Sequence, residues 1–188
     1  MHRLRVVRVL PILLLIGAAP GHRYTLDAAQ SVITARVAFF GLASKTAHFP
    51  KASGGITLDP DAPEPIDLEV RLDATALTAP DAVTLARLKG PQFFDVARHP
   101  MVVFRGTEMR MTSAVEAQVA GQITARGVTR LATLTVRFSA PPGRADGRNP
   151  LTLTGETVID RRAFGMTAFP LIVGRRVTIR ISATLLPA

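Results

Sequence analysis

Apolar and polar residues alternate with a period of two along most of the chain, which is the pattern of strands with one buried face. The alternation is clearest at residues 66–73, where apolar positions are separated by aspartate, glutamate and arginine. The pattern predicts eight strands, at residues 31–39, 47–58, 66–73, 101–109, 115–125, 134–138, 151–159 and 177–185. The second of these is expected to bend at a bulge formed by Gly54 and Gly55.

Two segments interrupt the alternation. Residues 80–89 contain good helix formers, Pro80 suits the first helical position, and Asp81 favours the positive end of the helix dipole. A single short helix is therefore predicted there. Residues 141–150 are polar and rich in glycine and proline, and we expect a loop without regular order.

Antiparallel strands joined by short links form a sheet that tends to close on itself, because closure pairs the two edge strands. The predicted fold is all-β: a single antiparallel eight-stranded barrel with one short helix, formed by residues 22–188. A sandwich of two four-stranded sheets is the alternative. An eight-stranded barrel is either filled by side chains or holds one small ligand, and an apolar stripe does not distinguish the two.

Two adjacent aromatic residues, Phe93 and Phe94, lie between the predicted helix and the strand that begins at Met101. Pro100 disfavours a helical conformation at His99, so the helix ends before that point. Burying both phenylalanines would contribute roughly 3–6 kcal/mol, so we expect them to be covered. Either the end of the sheet or a bound ligand would cover them.

Composition supports a packed domain and removes several kinds of chemistry. Hydrophobic residues make up 47% of the chain, which is enough for a core, and the absence of cysteine excludes disulfides and thiolate sites. Beyond residue 21 the histidines are His22, His48 and His99, and none has a zinc-binding spacing. No nucleophile elbow or phosphate-binding glycine loop occurs in the sequence. We therefore predict no enzyme activity, no metal site and no cofactor.

The first 21 residues have the layout of a secretory signal peptide. Arg3, Arg5 and Arg8 form a basic start, an apolar run follows at residues 9–16, and small residues come next. The apolar run is about half the ~20 residues that a membrane span requires. We predict export to the periplasm with removal of residues 1–21, the alternative being an uncleaved anchor.

The charge of the chain adds little to the prediction of its partners. Removal of the leader takes away three arginines and lowers the formal net charge from +9 to +6. The remaining arginines are spread singly along strands, without the dense basic run and interleaved aromatics of a nucleic-acid surface, so nucleic acid is not a predicted partner. A solvated outer face explains this spread, and attraction to an anionic membrane surface or headgroup is the alternative.

Four stretches of the predicted domain form recognisable motifs. They are YTLDAAQS at residues 24–31, GPQFFDVARHPMVVF at 90–104, AGQITARGVTR at 120–130 and IDRRAFGM at 159–166. In this order and spacing they resemble the YceI-like polyisoprenoid-binding family of exported bacterial proteins. The resemblance covers essentially all of residues 24–186.

The resemblance implies a lipocalin-like barrel, without a catalytic group, that binds or carries a long isoprenoid chain such as a quinone tail or a polyprenyl lipid. Burying about ten tail carbons would contribute roughly 8 kcal/mol, at ~0.8 kcal/mol per methylene. The residues expected to contact such a ligand face inward on the strands or are phenylalanines at the barrel ends: Ile33, Val37, Phe39, Val70, Phe93, Phe94, Phe104, Val119, Ile123, Val136, Phe164, Phe169 and Ile181.

Two other hypotheses stay open. One is a secreted stress-response or interaction module whose barrel is filled by side chains. The other is an enzyme that acts on a lipid, which would need a polar cluster facing the cavity. Partners compatible with the resemblance also include the membrane surface, a membrane redox protein and a second copy of the chain in a homodimer.

Overall fold

The computed structural model describes residues 21–59 and 66–188, and the predicted signal peptide lies, except for Gly21, outside them. One α-helix, α1 (Ala82–Lys89), is described together with nine strands. The strands are β1 (His22–Phe39), β2 (Ala43–His48), β3 (Ala52–Leu58), β4 (Asp67–Asp73), β5 (Met101–Met111), β6 (Glu116–Ala125), β7 (Val128–Phe138), β8 (Leu151–Asp160) and β9 (Val173–Pro187). Short 3₁₀ turns are Ala74–Ala76, Pro142–Arg144 and Arg161–Phe164.

The strands form one antiparallel sheet that closes into a barrel. Neighbours from β3 to β9 follow chain order, and β1 pairs with β9 to complete the circle. On its other side β1 pairs with β3 through its first residues and with β2 through its last ones, so β2 and β3 share one position. The barrel therefore has eight strand positions. The predicted eight-stranded barrel with one helix is confirmed, and the alternative sandwich is wrong.

The strand predicted at residues 47–58 is divided between β2 and β3. Pro50, which has no N–H for a ladder bond, lies in the break. The buried Phe49 points inward beside it, and its N–H donates to the Ile33 carbonyl at 3.0 Å. The bulge predicted at Gly54 is wrong, because β3 and β4 pair without a register shift. Glycine is required at that position for close approach: a Cβ there would lie 2.0 Å from the Glu69 carbonyl oxygen.

The first strand starts earlier than the alternation indicated. A register irregularity between Asp27 and Val32 separates the two halves of β1. Within it the Asp27 carboxylate accepts hydrogen bonds from the N–H groups of Ala29 at 2.9 Å and Gln30 at 3.3 Å. This local turn interrupts the period of two, so the sequence pattern did not connect residues 22–27 to the strand.

The helix lies where it was predicted and has defined caps. Asp81 is the N-cap, and its side chain accepts a hydrogen bond from the Thr84 N–H at 2.7 Å. Pro80 precedes the cap rather than starting the helix, which is a small correction. At the other end the Gly90 N–H donates to the Ala86 carbonyl at 3.1 Å. These bonds define the two ends of the short helix, which lies at one end of the barrel.

The two barrel ends differ. We call the end with the start of β1 and the β7–β8 loop the closed end, because Tyr24, Leu58 and Met109 pack there in one buried cluster. Ala145 joins this cluster, and the Gly147 N–H donates to the Tyr24 hydroxyl at 3.0 Å. The prediction that residues 141–150 lack order is therefore wrong. The opposite end carries the β1–β2 turn, α1 and the segment 161–172, and we call it the open end.

Candidate functional site

A continuous apolar wall runs from the middle of the barrel to its open end. Along β1, Ile33 lines an inner cavity, whereas Val37 and Phe39 line an outer cavity. Along β9, Ile181 lines the inner cavity and Val177 the outer one. Both series are inward faces of alternating strands. The two cavities therefore lie one behind the other along the barrel axis.

 The inner cavity encloses about 110 Å³ and is lined almost entirely by aliphatic and aromatic side chains, and the outer cavity encloses about 260 Å³. Within the described residues, Thr157 is the one polar side chain that lines the inner cavity. Seven of the predicted contact residues lie along it: Ile33, Val70, Phe104, Val119, Ile123, Val136 and Ile181.

The outer cavity opens at the open end, between α1, the ends of β1, β2 and β9, and the segment 161–169. Five predicted contact residues line it: Val37, Phe39, Phe93, Phe94 and Phe169. Leu88, Met166 and Val173 line it as well, although the sequence analysis did not select them. A helix residue, a loop residue and a strand start carry no alternation signal that would place them here. Ligand contact by all of these residues stays a prediction.

Phe164 differs from the other predicted residues because it lines neither cavity. It is 2% exposed and packs with Phe93, Ile123, Ala125 and Met166 in a cluster beneath the open end. Phe93 belongs both to this cluster and to the cavity wall, whereas the half-buried Phe94 faces the cavity. The adjacent aromatics are therefore covered partly by the sheet end, and they also border an open space.

Aromatic rings surround the opening of the outer cavity. The rings of Phe93 and Phe169 are stacked, with centroids 6.3 Å apart, and those of Phe49 and Phe94 meet edge to face at 5.9 Å. Phe169 has a positive φ of 53°, a strained conformation for a bulky residue. The Arg87 guanidinium lies 4.9 Å from its ring centroid. These contacts hold the Phe169 ring beside the opening.

A buried arginine holds the segment that borders the cavity. Arg161 is 3% exposed, and its guanidinium donates to the carbonyls of Gly174 at 2.8 Å, Val173 at 2.7 Å, and Met166. Burial lowers the pKa of Arg161, but an arginine stays protonated in proteins. None of the ion pairs found in the described part of the chain involves Arg161. Three carbonyl dipoles therefore stabilise this charge and fix the segment 166–174.

An ion pair connects α1 to the β1–β2 hairpin beside the cavity. The Lys45 Nζ lies 2.7 Å from the Asp81 Oδ2, and the Asp81 carboxylate also accepts hydrogen bonds from Thr84. The hydrogen bond from Lys45, followed by those from the Thr84 N–H and hydroxyl, lowers the pKa of Asp81 to about 2. Because the pair joins two separate elements, it positions the helix over the cavity.

The charged groups beside the outer cavity are held in structural contacts. Lys45, Asp81 and Arg161 are engaged with one another or with the backbone, as described. In residues 21–59 and 66–188, no group of three or more histidine, cysteine, aspartate or glutamate side chains could hold a metal ion. Over the same ranges, no helix has the length and apolar character required to span a membrane.

Comparisons with known proteins agree with this geometry. The family model of the YceI-like domain matches residues 24–185. A UPF0312 protein of Pseudomonas putida strain GB-1 is 24% identical over 156 residues, which are 82% of this chain and 81% of that protein. A UPF0312 protein of Azotobacter vinelandii is 22% identical over 152 residues, 80% of this chain and 79% of that protein.

Two solved structures share the fold. BcnA of Burkholderia cenocepacia superposes with a TM-score of 0.75 at 20% identity, covering 85% of this chain and 98% of that one. A polyisoprenoid binding domain from Saccharophagus degradans, implicated in plant cell wall breakdown, superposes with a TM-score of 0.69 at 11% identity. That match covers 88% of this chain and 98% of the domain.

Proposed function

The chain belongs to the YceI-like domain family, and on this premise we propose that it binds a long isoprenoid chain in its barrel. The ligand is a quinone tail or a polyprenyl lipid, which enters through the open end and extends along the apolar wall. The polyisoprenoid-binding neighbour supports this class of ligand. The barrel acts as a binding or carrier protein and contributes no catalytic group.

The continuous apolar wall through the two cavities carries this proposal. A hydrocarbon tail gains free energy from each methylene that leaves water, and about ten carbons supply roughly 8 kcal/mol. Micromolar affinity requires a net gain of about 8 kcal/mol, and association itself costs about 4 kcal/mol or more, so a tail longer than ten carbons must be buried to reach it without a polar contact. A ligand longer than the two cavities requires side chains to move, and Met109 and Met166, one at each cavity, are flexible enough to adapt.

The cavities also favour a binding protein over a barrel filled by side chains. A filled barrel would leave no apolar space behind its open end, whereas spaces of about 260 Å³ and 110 Å³ lie there. A lipid enzyme would need reactive polar groups against the tail. The charged groups beside the outer cavity are instead held in structural contacts, Lys45 with Asp81 and Arg161 with backbone carbonyls.

We also propose that the protein is located in the periplasm. The basic, apolar and small-residue segments at the N terminus support export to the periplasm with removal of the leader. Intact-mass measurement of the exported protein should show a chain that begins between Pro20 and Arg23. A full-length product embedded in the membrane would contradict export by cleavage.

Two experiments test ligand binding. Native mass spectrometry of the protein isolated from a bacterial envelope, followed by organic extraction, should yield a bound isoprenoid lipid. In a titration with a quinone or polyprenol analogue, Ala35→Phe should weaken binding by about tenfold or more, a loss of ~1.4 kcal/mol. Ala35 lines the outer cavity, so a phenyl ring there occupies the path of the tail.

Ala38→Phe is the matched control on the same strand. Ala38 is exposed, so its ring would point away from the cavity and binding should keep the wild-type affinity. Thermal melts of both variants exclude unfolding as the cause of a loss. The absence of any extracted isoprenoid, together with equal affinities of the wild type and Ala35→Phe, would overturn the proposed function.

A further inference from the structure

Exposed apolar side chains gather around the open end. Leu42 and Leu171 have exposed fractions of 102% and 96%, the highest among the large exposed hydrophobic residues of the described chain. Phe40 and Val83 are also exposed at this end. Leu42 and Phe40 form the β1–β2 turn, Leu171 lies in the segment before β9, and Val83 lies on α1. Apolar groups of this size that meet only water indicate a surface that binds a partner.

These residues belong to one connected rim rather than to separate loops. The Phe40 N–H donates to the Ile172 carbonyl at 2.8 Å, which joins the hairpin turn to the segment that carries Leu171. The Phe40 ring contacts the Phe39 ring edge to face at 4.6 Å, and Phe39 lines the outer cavity. The exposed rim is therefore continuous with the wall of the cavity.

Cations flank this rim. Arg36 and Arg176 lie on the outer wall just behind the β1–β2 turn, in one surface depression. The Arg36 Nε donates to the Ser44 hydroxyl at 2.9 Å, and within the described residues neither arginine forms an ion pair with a carboxylate. Arg87 and Arg162 are two further exposed arginines at this end that lack such a pair.

Two acids at this end, Asp81 and Asp160, are already paired with cations. Asp81 pairs with Lys45 at 2.7 Å, and Asp160 pairs with Arg175 at 2.9 Å. The remaining arginines therefore give the rim a net positive charge next to its exposed apolar side chains. Apolar residues that enter the acyl boundary, beside cations that reach phosphates, are the composition of an interfacial membrane-binding surface.

We propose that the open end docks on an anionic phospholipid bilayer. Phe40, Leu42 and Leu171 enter the interface, and Arg36 and Arg176 contact the lipid phosphates. This orientation points the outer cavity at the membrane, so that a tail passes between bilayer and barrel without crossing water. That consequence rests on the proposed function, whereas docking itself needs no ligand.

A second copy of the chain fits this surface less well than a bilayer does. Two copies joined at their open ends would bring the same cations together, and like charges across an interface oppose association. The exposed side chains also project from a turn and a loop, as an anchor inserted between lipids does. The cationic charge and the projecting apolar residues together favour anionic lipid.

Co-sedimentation with vesicles tests the apolar half of the proposal. The protein as isolated, with its N terminus fixed by intact mass, should bind phosphatidylglycerol vesicles and bind phosphatidylcholine vesicles much more weakly. Leu42→Asp combined with Leu171→Asp should weaken binding to phosphatidylglycerol by about tenfold or more, since two charges replace the inserted groups. Both side chains are exposed, so the fold should persist, which a thermal melt checks.

Leu131→Asp is the matched control for the apolar residues. Leu131 is 83% exposed on β7, three positions around the barrel from β1, and vesicle binding should be unchanged. Equal binding by the wild type and the Leu42→Asp, Leu171→Asp protein would overturn the proposal. Equal losses in that protein and in Leu131→Asp would overturn it too, because binding would then not depend on the β1–β2 turn and the segment before β9.

A second pair of variants tests the charges. Arg36→Gln combined with Arg176→Gln should reduce binding to phosphatidylglycerol by about tenfold and weaken its dependence on salt. Arg110→Gln combined with Arg148→Gln removes the same charge from the closed end and should leave binding nearly unchanged. Similar losses in both pairs would show attraction to net charge alone and would contradict docking through the open end.

The vesicles contain no isoprenoid lipid, so this test is separate from the test of ligand binding. A protein that binds a quinone analogue but no phosphatidylglycerol vesicle keeps the proposed function and loses the docking surface. A protein that binds the vesicles through Leu42 and Leu171 but no isoprenoid keeps the docking surface and loses the proposed ligand.

Discussion

The closed and open ends of the barrel are built on the same strands, but the closed end is filled by side chains and the open end borders a cavity. At the closed end, Tyr24 is 0% exposed, and the β7–β8 loop adds the buried Pro142 and Ala145. At the open end, Phe94 and Phe169 are only half-buried and border the outer cavity. Inward-facing apolar residues continue along the strands to both ends. The connecting segments therefore decide whether the interior is filled or left open.

The difference lies in where each connecting segment is anchored. The loop at the closed end places small apolar residues over the barrel axis and is held by the hydrogen bond from the Gly147 N–H to Tyr24. The segments at the open end are held at the periphery, by Arg161 on one side and by the Lys45–Asp81 pair on the other. Peripheral anchors fix a segment while leaving the centre unoccupied.

The largest expected effect comes from removing the centre of the closed end. Tyr24→Ala should destabilise the fold by about 3–5 kcal/mol, because it leaves a cavity in a fully buried cluster. Phe94→Ala at the open end should cost about 1–2 kcal/mol, since part of that ring already faces open space. Denaturant unfolding of both variants measures the difference. Equal losses would mean that the two ends are packed alike.

The next effect tests the anchor at the open end. Arg161→Met should destabilise the fold by about 2–3 kcal/mol, because three backbone carbonyls lose charged donors. Hydrogen exchange should accelerate in segment 166–174, with little change in the β7–β8 loop at the closed end. Faster exchange in both regions to the same extent would show that Arg161 supports the whole barrel rather than one end.

Two phenylalanines of one segment separate packing from ligand contact. Phe169→Ala should weaken binding of a quinone or polyprenol analogue by about tenfold, ~1.4 kcal/mol, with a small shift in melting temperature. Phe164→Ala should instead destabilise the fold by about 3–5 kcal/mol, because Phe164 is buried. Unchanged ligand binding by Phe169→Ala would move the ligand away from this side of the opening.

The smallest effect concerns pH and the Lys45–Asp81 pair. The folded-state pKa of Asp81 is about 2, below the ~3.9 of an unfolded chain. The pair therefore stabilises the fold above about pH 4, and this contribution is lost as the pH falls toward 2. Asp81→Asn keeps the helix cap but removes the charge. Its difference in melting temperature from the wild type should shrink over that range of pH.

A double-mutant cycle supplies the control for the ion pair. In the Lys45→Met background, Asp81→Asn should change stability less than it does in the wild type, because the partner cation is absent. An equal change in both backgrounds would assign the lowered pKa of Asp81 to its hydrogen bonds with Thr84 alone. The closed end should show no change in hydrogen exchange in any of these variants.

The sequence by itself determined the barrel and its inner face. Alternation with a period of two places every second residue on one side of a strand, so Ile33, Val70 and Ile181 could be assigned to the interior without knowledge of their neighbours. The caps of α1 were equally local, because the Asp81 side chain and the Thr84 N–H are three residues apart. The motifs that resemble the YceI-like family added the ligand hypothesis to this pattern.

Only the tertiary structure decided which end is open. The burial of Phe164, the half-burial of Phe169 and the order of residues 141–150 depend on segments far away in the sequence. Tyr24 meets Gly147, a residue 123 positions away, and no local pattern encodes that hydrogen bond. Alternation reports the face of a strand, whereas the filling of a barrel end depends on which distant loop covers it.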